Sequence, residues 1–361
     1  MATRVVIAGV SARAAAESAA RAGFDVTAID AFADLDQHPA VRTTAVGRFT
    51  AGKAVRAARD IPCDAVVYLS NFENHPDAVA AFAARRALWG NAPSVLRRVR
   101  DPKLLMQTLR ACGHAVPDDR HDDRWLVKRV ASGGGRGVTM WNRGDAVPRG
   151  CYLQPFVDGT PGSIAFVAAG GRALPIALSR QIVGDRAFGA EAYWYCGSIA
   201  GSHVFAGSVM RRAIDLASTV AREFGLVGLN GIDFIVRDDV PYPIEVNPRW
   251  CASMELAERA SGLSVFSVHA HACVNGALPN VDVEHGFSGY IGKAIVFADR
   301  DRRAGDTRDW LRDANVRDVP QPGQTIRARH PICTVFAEAR DADECYAHLV
   351  ERGAAVTRQM L

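Results

Sequence analysis

A mixed α/β chain, with a parallel-sheet domain first and hairpins after it, is what three stretches of the sequence predict. Residues 4–8 are a β-branched run ending at Gly9, residues 11–22 are alanine-rich, and residues 24–29 are a second apolar run. Strand, helix and strand in so short a span form a βαβ unit with parallel strands. Residues 163–168 and 174–178 read as a hairpin across Gly170-Gly171. Residues 228–247 read as two strands joined by a tight turn at Arg237-Asp238-Asp239.

Composition narrows the function classes. At 361 residues the chain is long for one core, and two or three subdomains are expected. It is 48% hydrophobic and 23% charged, ordinary for a globular protein. The net charge is only +4 and no basic run is interleaved with aromatics, so nucleic-acid binding is not indicated. No signal peptide is visible and no apolar stretch approaches the roughly 20 residues that span a bilayer. The eight cysteines are scattered with no two-residue-spaced pair, which points to reduced thiols in the cytoplasm rather than zinc or disulfides.

In chain order, Gly23 stops the first helix in the C-terminal capping position. A third strand follows Pro62 at residues 65–69. The turns after these strands lie at the carboxyl edge of the sheet, where such folds bind ligands. Gly9-Val10-Ser11 lacks the three-glycine dinucleotide pattern, so Gly9 is read as allowing a tight turn. Ser11 and Arg13, at the head of the helix, are candidates to hold a substrate anion. Glu73, in Asn71-Phe72-Glu73-Asn74, is read either as part of a turn capping the next helix or as a substrate ligand.

Asp101-Pro102-Lys103 starts a helix that runs to Ala111, with the N-cap and first-position proline such a start favours. Residues 125–128 form a strand ending at Lys128, which feeds Ser132-Gly133-Gly134-Gly135-Arg136-Gly137. Four glycines in five positions are costly in chain entropy and let backbone N–H groups approach a polyphosphate. The run is not a Walker A loop, because no Gly-Lys-Ser/Thr ends it. A strand at 152–157, Tyr152-Leu153-Gln154-Pro155-Phe156-Val157, turns out at Asp158-Gly159. Residues 181–201, aromatic and glycine-rich, receive no assignment. Residues 209–224 have the three- and four-residue spacing of an amphipathic helix ended by Gly225. Residues 254–260 and 265–274 are helical, and His269 and His271, two apart, point in different directions and are read as packing. Strands at 294–298 and 334–337 and a helix at 341–352 complete the chain.

The hairpin carries the chemistry. Glu245 and Asn247 are two apart on one strand and so share a face. Pairing that puts Asp233 on that face gathers three hard oxygen ligands, a set suited to Mg²⁺.

The order of these features resembles the ATP-grasp superfamily of ligases over roughly residues 4–275. Its most specific part is Ile244-Glu245-Val246-Asn247-Pro248-Arg249 behind Gly231-Ile232-Asp233. The resemblance implies an α/β and α+β fold: an N-terminal Rossmann-like parallel-sheet domain (1–95), a small ATP-grasp subdomain (96–155), a large one (156–280) and a C-terminal extension (281–361). It implies ATP held between the subdomains, with Lys103 and Lys128 on phosphates and ring. Ser132, Gly133, Gly134, Gly135 and Gly137 would close over the phosphates. Gln154, Pro155, Phe156 and Val157 would form the adenine hinge, with Asp158 near the ribose. Asp233, Glu245 and Asn247 would hold Mg²⁺ or Mn²⁺, and Arg249, with Lys128, would act on the transferring phosphoryl group. Two departures stand out: Asp233 replaces the glutamine of carboxylase-like members, and Gln154 replaces a hinge acid. The start of the chain resembles a branch once labelled ATP-dependent carboligases, found in methanogens and methylotrophs beside one-carbon cofactor genes.

Three functions follow from that resemblance. One is a carboxylate–amine ligase working through an acyl phosphate, in the glutamate-type branch of one-carbon cofactor biosynthesis, with small-molecule substrates. Another is bicarbonate activation as in biotin carboxylases, although no Met-Lys-Met biotinyl site is present. The last is a non-catalytic nucleotide-binding module. A homodimer is the expected assembly.

Overall fold

The computed structural model describes residues 2–118, 123–280 and 289–360. Strands Arg42–Ala45, Asp25–Asp30, Arg4–Ala8, Ala65–Tyr68 and Ala87–Leu88 form, in that order, a parallel sheet. Val5 and Ile7 of its central strand pack on one face with helix Arg13–Arg21 and Phe266. Val6 and Ala8 pack on the other with helix Ala51–Ala58 and Phe72. Burial on both faces is why this strand reads as an unbroken apolar run. The sequence reading did not place strand Arg42–Ala45 or helix Ala51–Ala58. The strand is a largely exposed edge of Arg-Thr-Thr-Ala, with little apolar pattern to read.

The large sheet has eight strands, in the order Val240–Asn247, Gly228–Arg237, Thr160–Ala169, Arg172–Val183, Tyr195–Gly201, Tyr290–Phe297, Pro331–Ala339 and Val316–Arg317. Side chains of the third strand alternate between two cores. Ile164 and Phe166 meet helix Gly207–Phe224, while Ala165 and Val167 meet helices Met254–Ser261 and Val265–Asn275. A small sheet of Thr139–Trp141, Trp125–Arg129 and Cys151–Pro155 stands over one end.

Two regions differ from expectation. Residues 181–201 hold two strand segments around a 3-10 turn at Arg186–Phe188: Arg172–Val183 runs well past residue 178, and Tyr195–Gly201 pairs with it. The polar Ser179-Arg180-Gln181 disguises that continuation. Ser179 is wholly buried and its hydroxyl meets Ser163 at 2.9 Å. The expected C-terminal extension opens on residues 281–288, outside the described residues. From Tyr290 onward the chain adds strands to the large sheet, covered by helix Ala342–Arg358 with Asp341 as its cap. All eight cysteines are free. Among the described residues no helix is long and apolar enough to cross a membrane.

Candidate active site

A cleft of about 830 Å³ opens between the small sheet, the large sheet and the carboxyl edge of the parallel sheet. That volume lies in the range of small-molecule and cofactor sites. Its floor is the hairpin Gly228–Arg237/Val240–Asn247, turned by Asp238 and Asp239 at φ 50° and 57°. A two-residue turn with both φ positive sets the register of such a hairpin. From that turn the pairing runs to Phe234 opposite Pro243; a bulge then passes over Ile244, so that Asp233 lies opposite Glu245 and Gly231 opposite Asn247. The three oxygen-bearing side chains share one face, as expected.

Asp233 accepts hydrogen bonds from Asn247 Nδ2 at 2.9 Å and Gln181 Nε2 at 2.8 Å. Burial, then the neighbouring Glu245, pushes its carboxyl up to about 6 despite Arg249 and the two amides. Burial would raise Glu245 too, but Arg100 and Lys128 outweigh it and hold that carboxyl below its ordinary value. Arg100 donates to Glu245 directly and, through Nη2, to Asn74 Oδ1 at 2.9 Å. Lys128, 8% exposed, donates to Gln154 Oε1 at 2.9 Å. Burial lowers its pKa against the pull of Glu245 and Asp233. Two carboxylates side by side, one of them raised by burial and by its neighbour, form a donor set that a divalent cation stabilises. The group fits Mg²⁺ on that ground.

Arg249 is held by Glu73 Oε1 at 2.9 Å, Asn247 Oδ1 at 3.0 Å and the Trp250 carbonyl at 2.9 Å. Glu73 is 1% exposed and its second oxygen has no partner. The turn around Asn71–Asn74 thus carries a buried ion pair with the metal hairpin, beyond any capping role.

The glycine loop stands at one rim. Gly134, Gly135 and Gly137 have φ of 64°, 71° and 80°. The Gly134 carbonyl accepts from Tyr195 N–H at 3.1 Å, and a Cβ on Gly135 would lie 1.8 Å from the Tyr193 carbonyl oxygen. Arg136 lies over the Trp194 ring at 4.1 Å and donates to the Arg329 carbonyl at 2.7 Å, while Arg329 lies over the same ring at 4.9 Å. Ser132, Gly133, Gly134, Gly135, Gln154, Pro155, Phe156, Val157 and Asp158 all line the cleft.

The expectations for Lys103 and Arg13 are corrected, and the role of the Gln154 side chain is added. Lys103 is exposed and does not line the cleft; Arg100, at the end of the preceding helix Pro93–Val99, does. Gln154 turns its amide inward to Lys128 and the Ile244 carbonyl, so its side chain supports the lysine. Arg13 is no anion site. Its buried guanidinium is taken up by Asp318 at 2.7 Å, Glu255 at 2.7 Å, Glu17 at 3.0 Å and Asp36 at 3.5 Å. Ser11 lines the cleft and is exposed. Arg100, Gln181 and Lys293 were missed. Lys293 reaches the far end from strand Tyr290–Phe297 and pairs with Glu255 at 2.6 Å. The one sequence signal for Arg100 is its place just before the Asp101 cap.

Residues 100–253 match a family model described as the ATP-grasp domain. The chain carries an ATP-grasp domain. Over 126 residues it is 29% identical to the tyramine–L-glutamate ligase of Methanocaldococcus jannaschii, covering 35% of each chain. The chain matches about a third or less of the length of its curated relatives. Its fold is similar to that of a biotin carboxylase from Campylobacter jejuni, at 13% identity and TM-score 0.76, covering 96% of this chain and 90% of that one. It is also similar to an L-amino acid ligase from Bacillus licheniformis, at 16% identity and TM-score 0.67, covering 97% and 96%.

Proposed function

We propose that the chain is an ATP-dependent ligase that activates a carboxylate as an acyl phosphate and joins it to an amine. The reading rests most on one observation: Asp233 faces Glu245 across the hairpin, with Asn247 beside them and Lys128 within their field. Asp233, Glu245 and Asn247 would hold Mg²⁺, with Mn²⁺ able to stand in. When bound, the ion draws charge from the phosphate oxygens. The strand through Gln154 to Asp158 would seat adenine and ribose. Ser132 to Gly135 and Gly137 would cover the phosphates, with Lys128 and Arg249 stabilising the charge that moves with the phosphoryl group.

A substrate carboxylate oxygen attacks the γ-phosphorus in line, the bond to the bridging oxygen breaks, and ADP leaves. The amine then attacks the acyl carbon, phosphate departs, and the amine gives up a proton as the amide forms. Neither step needs a protein nucleophile. The tyramine–L-glutamate ligase relative supports an amino-acid substrate of the glutamate type. Eight free thiols support a reducing compartment such as the cytoplasm.

Incubating the protein with ATP, Mg²⁺ and a panel of amino acids and amines should release ADP only with an active pair. Asp233→Asn and Glu245→Gln should each raise the barrier on the order of 2–4 kcal/mol. No ADP with any pair, together with ATP binding that ignores both substitutions, would sink the proposal. ADP release that depends on bicarbonate alone would replace the amine ligase with a carboxylating enzyme.

A further inference from the structure

Behind the far end of the cleft lies a second cavity of about 130 Å³, walled by helix Arg13–Arg21, helix Met254–Ser261 and residues 314–317. It has room for a group of several heavy atoms. Six charged side chains face it: Glu17, Arg21, Glu255, Glu258, Arg259 and Arg317.

The three glutamates are all engaged elsewhere. Glu17 pairs with Arg13 at 3.0 Å. Glu255 pairs with Arg13 at 2.7 Å and Lys293 at 2.6 Å. Glu258 accepts from Arg21, Ser18 and the Val265 N–H. Arg259 and Arg317 are left over. Among the described residues, the hydrogen-bond partners of these two guanidiniums are carbonyls: Ala314 O at 3.0 Å for Arg259 and Val316 O at 3.3 Å for Arg317. Arg259 also lies over the Phe336 ring at 3.6 Å, which fixes its plane. Burial and the nearby Arg317 lower its pKa against the pull of Glu255.

Two guanidiniums without carboxylate partners, facing one cavity, repel each other. An oxyanion between them relieves that repulsion, and a guanidinium already fixed by stacking loses little freedom on binding it. We infer that Arg259 and Arg317 form a binding site for a small oxyanion, a phosphate or carboxylate group. The cavity shares Trp250 and Glu255 with the main cleft, so the group is either a free anion or the acidic tail of a substrate. The second source rests on the ligase reading; the first does not.

The test is the rise in melting temperature of the full chain titrated with inorganic phosphate, and separately with glutarate. The response should persist in Lys128→Gln, which alters the cleft, and weaken about tenfold or more in Arg317→Gln and Arg259→Gln. Arg259→Lys keeps the charge but not the fork, and should bind with intermediate strength while folding as the parent does. Phosphate inhibition competitive with an acidic substrate and lost in Arg317→Gln assigns the site to a substrate tail. A non-competitive effect lost in the same variant assigns it to a free anion. An unchanged phosphate midpoint in both arginine variants, or a response abolished by Lys128→Gln alone, overturns the inference. Binding is read without turnover, so this site and the ligase reading fail separately.

Discussion

Replacing Arg13 by methionine should damage the fold, not a ligand site. The side chain is 1% exposed and its guanidinium meets Glu17 on its own helix and Asp36, Glu255 and Asp318 from three other parts of the chain. Methionine fills much of the space but leaves those carboxylates behind. Glu255 keeps Lys293 and Asp318 keeps the Thr334 hydroxyl, whereas Asp36, 4% exposed, retains only backbone donors. Removing one partner of a buried ion pair costs about 3–5 kcal/mol. With an m-value of about 3 kcal/mol/M, the urea midpoint falls by about 1–1.7 M. Arg97→Gln is the control. Its partner Asp77 is 96% exposed, and the loss should stay below about 1 kcal/mol. An Arg13→Met protein with the parent's midpoint and a raised KM for an anionic substrate would refute the reasoning.

The remaining predictions concern the loop, the lysines and pH. Gly135→Ala forces a Cβ into the Tyr193 carbonyl at a φ of 71°, and should raise the KM for ATP on the order of tenfold, at a strain cost of about 1–2 kcal/mol. Gly133→Ala meets nothing within 4 Å and should leave that KM unchanged. Lys103→Gln should leave the KM for ATP within about twofold, whereas Lys128→Gln should raise it about tenfold or more, since only Lys128 lines the cleft. His269 is buried, accepts the Leu229 N–H at 3.0 Å, and is pushed down by burial to about 4. The unfolded chain binds a proton on this residue from 6.5 downward and the folded chain does not until about 4. Stability from neutral His269 is therefore present above pH 6.5 and lost as pH falls toward 4, by about 3 kcal/mol over the interval. His269→Gln should flatten the stability slope between those pH values in urea titrations.

What was legible in the sequence is what short-range geometry fixes. The shared face of Glu245 and Asn247 followed from their two-residue spacing, which is local, whereas Asp233 joins them through a bulge that the turn alone does not give. The strand at residues 4–8 announced its two-sided burial by being apolar throughout. What was not legible depends on partners far along the chain. Arg13 reads as a cation at a helix head, yet Glu255 and Asp318, 242 and 305 residues away, consume it. Lys103 follows a good cap but faces solvent, and the cleft takes Arg100 from the end of the helix before it. The strand through residues 179–183 was hidden because its polar side chains serve the cleft, so the alternation that marks a half-buried strand is absent.

The eight-stranded sheet has a further consequence for descent. Most of the cleft's lining is drawn from residues 100–253, the span that matches the family model. Other lining residues come from outside that span: Ser11 and Glu73 from the carboxyl edge of the parallel sheet, and Lys293 and Thr334 from the last strands, which join the large sheet. The cleft's lining is thus written in separate stretches of the gene, and on the proposed reading the flanks would bear on the choice of substrate. A segment cut to residues 100–253 would keep most of the cleft's lining and lose only what the two flanks contribute.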